Sequence, residues 1–488
     1  MQPNILIFMT DQERGDVIHP DHPCMTPNAT RLAEQGIRFA NTFCPSPHCC
    51  PSRATFMTGL YPSRHGVFNN VSNPTRIHRT VFDGVTMFSE HLKDAGYNLA
   101  YAGKWHVSDT DNPADRGWEE LEVRAKTGSY MHTGIPEWTT RTYDEPTTRR
   151  HGQILRPGWG PIQLFDAYPT QGDHPYESHD DYAVVKSALD ALPRLAAQDE
   201  PWCLYVGTFG PHDDFVVPQH YVDMYDLDDI PLPANYADTL ADKPALYQRM
   251  QAMWSQFSDE EVRDCLRHYW AYCTMEDELF GLLLDKLEAL GQVDNTLVLF
   301  VSDHGEYCGS HGIYCKGVPS FREAYHVPAI VRYPSGIVEP GREENAFVSL
   351  ADFAPTFMEL AGAEIPADLT GESLLPFLRN EAAEKWRDTL FAQCNGVELY
   401  YSQRVVMTHE YKYVYNGFDH DELYDLRHDP HEMTNLAQNP AYNDIKHDLV
   451  RRMWRFAAAQ QDELIMNPYY TVGLAPWGPA DALGPQAG

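Results

Sequence analysis

Between Asn4 and Val301 the chain repeatedly sets a short apolar run against a longer stretch with helical spacing. Asn4–Met9 is apolar at nearly every position, which predicts a strand buried on both faces. Thr26 and Pro27 then supply a cap and a proline at the first helical position, and Gly36 stops that helix. Ile37–Phe43 returns as a strand. Thr86 opens a second helix that ends near Gly96, followed by a strand over Tyr97–Ala102. Asp180–Ala197 reads as a helix ahead of the strand Trp202–Val206. Glu260–Leu290 is one long helical stretch, and Thr296–Val301 is a β-rich run stopped by Ser302-Asp303-His304-Gly305. This alternation predicts an α/β layered fold with a large, mostly parallel central sheet flanked by helices. In such sheets functional groups gather beyond the carboxyl ends of the strands. Asp11, Lys104, His212 and Asp303 each stand just past a predicted strand end.

Two segments break the pattern. Residues 110–180 are rich in Trp, Tyr, Pro, Gly, Arg and His with little periodicity, and residues 213–256 are similar. Both are expected as irregular insertions, lids or binding loops, in a catalytic domain over 1–376. From Phe377 the pattern changes. Thr389–Gln393, Tyr400–Met407 and Tyr411–Tyr415 look like an antiparallel set, and a last helix falls near Tyr442–Gln460. A smaller C-terminal α+β subdomain is therefore expected over 377–466, followed by an extended tail over 467–488 rich in Pro, Gly and Ala.

Composition narrows the partners. With 43% hydrophobic and 22% charged residues the chain is ordinary for a globular protein, but its formal net charge is −33. Nucleic acid and anionic membrane would both be repelled at long range. No run approaches the roughly 18 apolar residues needed to span a bilayer. The N-terminus carries no basic region or cleavage site, which predicts a cytoplasmic protein. The ten cysteines form no Cys-x-x-Cys pair and no zinc-type spacing, so most are expected reduced and buried.

One cysteine is different. Cys49-Cys50-Pro51-Ser52-Arg53-Ala54-Thr55-Phe56-Met57-Thr58-Gly59 resembles the signature of type I formylglycine-dependent sulfatases, in which the first cysteine of Cys-x-Pro-Ser-Arg is oxidised to formylglycine. The resemblance implies an alkaline-phosphatase-like fold, a maturation enzyme acting on Cys49, and hydrolysis of an organic sulfate monoester. The residues suit that chemistry. Pro51 starts a helix and Gly59 ends it, which sets Cys49 at a helix N-terminus beside free N–H groups. An aldehyde there hydrates to a geminal diol. One hydroxyl attacks sulfur, and the other later collapses to the aldehyde and expels sulfate, whereas a serine would remain a stable sulfate ester.

The same resemblance assigns roles elsewhere. Asp11-Gln12 and Asp303-His304 match positions that hold one divalent cation together with the oxygen of residue 49. Such an oxygen-rich shell suits Ca2+, with Mn2+ or Mg2+ as alternatives. His304 stands where many members have asparagine, and Gln12 where a second aspartate is commoner. Gly103-Lys104-Trp105-His106 matches an element in which Lys104 binds a sulfate oxygen and His106 bonds the diol. Gly210-Pro211-His212 matches the element that supplies the general acid, His212, although Asp213-Asp214 follow in place of the usual small residue and proline. Lys316 matches a second sulfate-binding lysine, and Arg53 would neutralise and orient the diol. His311, in Ser310-His311-Gly312, either faces substrate or structures its loop, while His65 reads as structural. Leu369–Leu374, Glu422–Leu426, Asp429-Pro430 and Asn435-Leu436 extend the resemblance over roughly residues 3–437.

The aromatic and basic residues of the insertions point to a sulfated saccharide, small-molecule or oligosaccharide, with an aryl or alkyl sulfate left open, and the proline-rich tail with its aromatics to a homo-oligomer. Two other readings stay open: a phosphonate monoester hydrolase or phosphodiesterase of the same superfamily, and a catalytically silent sulfate- or sugar-binding protein.

Overall fold

The computed structural model describes residues 2–73, 75–124, 148–156, 160–383, 385–397, 399–466, 469, 472 and 476–484. In chain order the principal elements are β1 (Asn4–Thr10), α1 (Pro27–Glu34), β2 (Ile37–Phe43), α2 (Cys49–Thr58), α3 (Phe88–Asp94), β3 (Asn98–Lys104) and β4 (Glu119–Arg124). Next come β5 (Gln153–Arg156), β6 (Gly160–Gln163), β7 (Phe165–Tyr168), α4 (Asp180–Ala196), β8 (Trp202–Gly207), β9 (Phe215–Pro218), α5 (Ala245–Trp254), α6 (Asp259–Ala289) and β10 (Thr296–Ser302). The last are β11 (Ala329–Arg332), β12 (Arg342–Ser349), α7 (Phe353–Ala361), β13 (Leu390–Cys394), β14 (Gln403–Met407), β15 (Tyr411–Asn416), β16 (Glu422–Asp425), α8 (Asn443–Ala459) and α9 (Pro479–Leu483).

The eight-stranded central sheet runs β12-β2-β11-β10-β1-β8-β3-β4. All of its pairings are parallel except the two made by β11, which runs against both β10 and β2. Every residue of β1 and β10 is buried, as a strand covered on both faces requires. Side-chain alternation assigns the two faces. Phe8 of β1, in register with Phe300, points into α6, where Phe280 lies 5.2 Å away ring to ring. Tyr205 of β8 is in register with Ile7, one residue before Phe8, and so projects the opposite way. There it stacks on Tyr101 at 4.4 Å and meets Phe56 of α2, which packs against Phe88 of α3 and Phe357 of α7.

Registration at the carboxyl edge positions the chemistry. Thr10 is level with Ser302, and Met9 and Gly103 are both level with Gly207, so the segments starting at Asp11, Lys104, Thr208 and Asp303 leave one edge side by side. Asp11 N donates to Gly210 O at 3.0 Å and Asp303 N to Thr10 O at 3.3 Å, which carries the alignment past the strand ends. Gly103 permits the closest of these approaches. A Cβ there would sit 1.8 Å from Gly207 O, and its φ of +95° already favours glycine.

The C-terminal sheet is antiparallel, in the order β13-β14-β15-β16. Val405, Met407 and Val414 join the main core, while Val406, Tyr413 and Leu423 turn to Leu449, Met453 and Trp454 of α8. The segments expected to be irregular hold more structure than their sequence suggested. β4 extends the central sheet, β5 and β6 form a hairpin, β7 pairs in parallel with β9, and α5 is a full helix. Residues 125–147 of the first insertion lie outside the described residues. Nor does the described part of the tail trail away. Trp454 Nε1 donates to Trp477 O at 3.0 Å, and His447 and Asp481 pair at 2.9 Å, which lays α9 on α8. All ten cysteines are free, and Cys315 alone among them is only partly buried. Among the described residues no helix is long and apolar enough to cross a membrane.

Candidate active site

α2 brings the nucleophile position to the strand ends. His48 is extended (φ −137°, ψ 145°), Cys49 opens the helix, and Gly59 closes it at φ +72°. No side chain caps the first turn. Asn70 Oδ1 instead accepts from Cys50 N at 3.0 Å, and the Ser52 hydroxyl donates to Asp303 O, tying the helix start to the end of β10. His65 braces the helix from behind, with its Nε2 3.0 Å from Thr55 Oγ1, and burial holds its imidazole down to about 3. This is the structural role expected for His65.

Below Cys49, Arg53 is fully buried and surrounded by acceptors. Its Nε donates to Asp303 Oδ2 at 2.7 Å and its Nη2 to Asp11 Oδ2 at 3.1 Å, while Nη1 reaches Tyr205 Oη and Lys104 O. Arg53 thus takes one oxygen from each aspartate. The other oxygens face away from it: Asp11 Oδ1 lies 3.8 Å from Cys49 Sγ and 3.6 Å from His304 Nε2, and Asp303 Oδ1 lies 3.7 Å from the same imidazole nitrogen. His304 Nε2 is 3.2 Å from Cys49 Sγ. One donor atom each from Asp11, Cys49, Asp303 and His304 falls within a mutual 4.8 Å. Two carboxylates, an imidazole and the atom at residue 49 form a donor set that fits a divalent cation.

Charge shapes the titrations. Burial and the nearby thiol raise Asp11, but Lys104, His212 and Arg53 outweigh them and leave it well below the usual carboxylate range. Asp303 moves the other way, since burial, with the Asp11 charge added, exceeds the pull of Arg53. Burial opposes ionisation of Cys49, yet Lys104, Lys316 and His304 bring its thiol well below the ordinary value.

The remaining expected residues ring this floor. Lys104 Nζ pairs with Asp11 Oδ2. His106 Nε2 stands 3.0 Å from Ser72 Oγ, and the ring also bonds Cys49. Burial holds His106 at about 4. His212 Nε2 lies 2.5 Å from Lys316 Nζ, and its Nδ1 faces Asp213. Burial and Lys316 depress His212, but Asp213 and Asp11 prevail and raise it above an ordinary histidine.

Gln12 stands beside the donor set with its side chain engaged elsewhere. Its amide donates to Asp213 Oδ1 at 2.9 Å and to Glu306, and its Oε1 accepts from Lys316. Glu306 had no place in the sequence reading. It accepts from Cys308 N at 2.8 Å and Cys315 N at 2.6 Å, folding the loop that delivers Lys316, and burial with Asp213 lifts it to about 8. Its signal in sequence was a carboxyl three residues after Asp303. His48 and Asn70 were likewise missed, and both line a cavity of about 440 Å3 with His212 and Lys316. His311 is fully buried, stacked on Phe321 at 3.5 Å, with Nδ1 2.7 Å from Asp238 Oδ2. It is not among the residues lining that cavity.

Comparison with known proteins agrees with this geometry. Residues 3–363 match the sulfatase family, and residues 309–459 match the C-terminal region of N-sulphoglucosamine sulphohydrolase. An uncharacterized sulfatase of Escherichia coli K12 is 30% identical over 98% of this chain and 90% of its own. The choline-sulfatase of Rhizobium meliloti 1021 is 32% identical over 90% of this chain and 83% of its own. Among solved structures, the phosphonate monoester hydrolase of Agrobacterium radiobacter superposes with a TM-score of 0.76 at 25% identity, covering 94% of this chain and 96% of the other. The chain belongs to the sulfatase family and is a sulfuric ester hydrolase.

Proposed function

We propose that this protein cleaves an organic sulfate monoester with Cys49, matured to formylglycine, as nucleophile. The observation that carries the reading is the convergence on one buried atom. Asp11 and His304 lie within 4 Å of Cys49 Sγ, His106 bonds it, and Lys104 and Lys316 bear on its charge. Asp11, Asp303 and His304 would hold a divalent ion, Ca2+ in this reading, with the oxygen of residue 49 as a further donor, while the Gln12 amide stays bonded to Lys316, Asp213 and Glu306. When bound, that ion supplies positive charge against the sulfuryl oxygens.

The chain's own groups account for the rest. Arg53 fixes both aspartates and is itself fixed by four acceptors, so the floor is organised before substrate arrives. Lys104 and Lys316 pair with the oxygens of the transferring group. One hydroxyl of the residue-49 diol passes its proton to Asp303, whose carboxylate lies within 4.8 Å, and attacks sulfur as the ester S–O bond breaks, while His212, raised above an ordinary histidine by Asp213 and Asp11, gives its proton to the leaving alcohol. His106, held near 4 and therefore neutral, takes the proton of the second hydroxyl. The C–O bond to sulfate then breaks, the aldehyde reforms, and water restores the diol. We assign His311 to shaping the loop before Lys316, and place the protein in the cytoplasm.

The Cys49→Ser variant tests the mechanism. A single turnover is expected, with a sulfate ester retained on the residue-49 peptide by mass spectrometry. Sustained turnover at the parent rate would contradict it. A second reading, phosphonate monoester hydrolysis, is favoured by the Agrobacterium structure. Paired kcat/KM values for phenyl sulfate and a phenyl phosphonate monoester separate the two, and the sulfate is expected to be the better substrate. A silent binding protein is disfavoured, because every reactive position is present and assembled.

A further inference from the structure

The cavity above the nucleophile is lined by residues drawn from both insertions, most of them apolar, with Gln163 and Arg249 among the polar members. Ile154 and Ile162 come from the β5–β6 hairpin, Leu164 follows it, and Met250, Met253 and Trp254 come from α5. His212, Lys316, His48 and Asn70 line the same cavity. The wall is braced on both sides. Gln256 grips the hairpin at Leu155, accepting from its N–H at 2.9 Å and donating to its carbonyl at 3.0 Å. Gln251 ties α5 to the loop ahead of Lys316 through Asp238 O and His311 O, both at 2.7 Å. Trp254 is itself backed by Tyr314 at 5.1 Å.

We infer that this pocket seats the alcohol half of the ester, and that the enzyme selects sulfate esters whose alcohol carries an apolar body, an aryl, cycloalkyl or branched alkyl group. The inference rests on the proposed function, because it needs the sulfuryl group at Lys316 and the leaving oxygen at His212. Those two groups touch each other in the cavity lining, so an ester held by them places its alcohol half in the cavity that Ile154, Ile162 and Trp254 also line. A bare pyranose could bond Gln163 and Arg249 there, but its remaining hydroxyls would meet Ile154, Ile162, Met250, Met253 and Trp254 and lose hydration without a partner among them. An apolar ring of the same size loses nothing polar and gains burial. The two methionines let the wall fit bodies of different shape. The sulfated saccharide expected from sequence is thus narrowed to one presenting an apolar aglycone in this cavity.

Cyclohexylmethyl sulfate and glucose 6-sulfate test the idea, since both are esters of primary alcohols on a six-membered ring and their leaving oxygens are closely matched. With formylglycine-bearing enzyme, kcat/KM is expected to favour the carbocycle by at least about tenfold, expressed mainly in KM. Met250→Asn and Trp254→Ala should each shrink that preference severalfold by raising KM for the carbocycle, with kcat changed less than KM. Equal or better hydrolysis of the sugar ester, or a preference untouched by both variants, would overturn the pocket assignment and leave the sulfatase mechanism standing. Absence of turnover on every sulfate ester would instead overturn the mechanism on which the assignment rests.

Discussion

The floor beneath Cys49 and the wall above it are built by different physics. The floor is charged, fully buried and organised by registered strand ends, and Arg53 binds both aspartates without any exposure to water. The wall is largely apolar and comes from a hairpin and a helix that lie outside the central sheet, held to the body by the glutamines at 251 and 256. A charged floor that is already bonded needs no rearrangement when charge develops in the transition state. A wall carried on separate elements can change without disturbing those bonds. Chemistry and selectivity are therefore separable in this molecule, and substitutions in the two regions should differ in kind.

The largest effect is expected in the floor. Arg53→Ala leaves Asp303 buried without its guanidinium partner and Asp11 with Lys104 alone, which costs about 3–5 kcal/mol of stability and abolishes turnover. Urea unfolding and a rate assay check both halves, and a stable, active variant would break the distinction. His212→Ala should lower kcat by roughly 10²–10⁴ for alkyl sulfates, and far less for activated aryl sulfates that need no proton on the leaving oxygen. Equal losses on both ester types would remove His212 from its acid role.

Smaller effects are expected from the wall supports. Gln251→Ala deletes two bonds at the junction of α5 and the Lys316 loop, with an expected cost of about 1–2 kcal/mol and a raised KM. The effect that is smallest at neutral pH appears only on acidification. His65 is neutral in the folded protein, with its titration held down to about 3 against about 6.5 when unfolded. Its contribution is complete above pH 6.5 and is lost progressively as pH falls toward 3, because the unfolded chain takes up the proton first. Melting temperature should therefore decline across that window, and His65→Asn should flatten the decline.

The same division decides what could be read from sequence. The floor residues stand in short contiguous motifs at strand ends, so Asp11, Cys49, Arg53, Lys104, His106, Asp303 and His304 can be singled out as candidates from sequence, and the structure gathers them. β1, β3, β8 and β10 were legible because each is a largely apolar run between clear stops, whereas β4 (EELEVR) and β12 (REENAFVS) carry charged positions and show no such run. Glu306, His48 and Asn70 were not found, since their importance comes from loop bonds and cavity faces that no spacing encodes. Gln12 was located, but its partners Asp213, Glu306 and Lys316 lie far along the chain and could not be read from its neighbours. In the wall, β5 and β6 are four-residue strands, too short for a period to show. α5 is a different case. Leu246, Met250, Met253 and Trp254 have helical spacing that was passed over within a polar, proline-rich surrounding.

The central claim is tested most directly by the mass of the residue-49 peptide from protein produced together with a formylglycine-generating enzyme. The account predicts a peptide lighter by the difference between CH2SH and CHO and reactive toward a hydrazide, with activity in proportion to the converted fraction. A peptide that keeps an intact Cys49 thiol, in protein that nonetheless turns over sulfate esters at full rate, would contradict it.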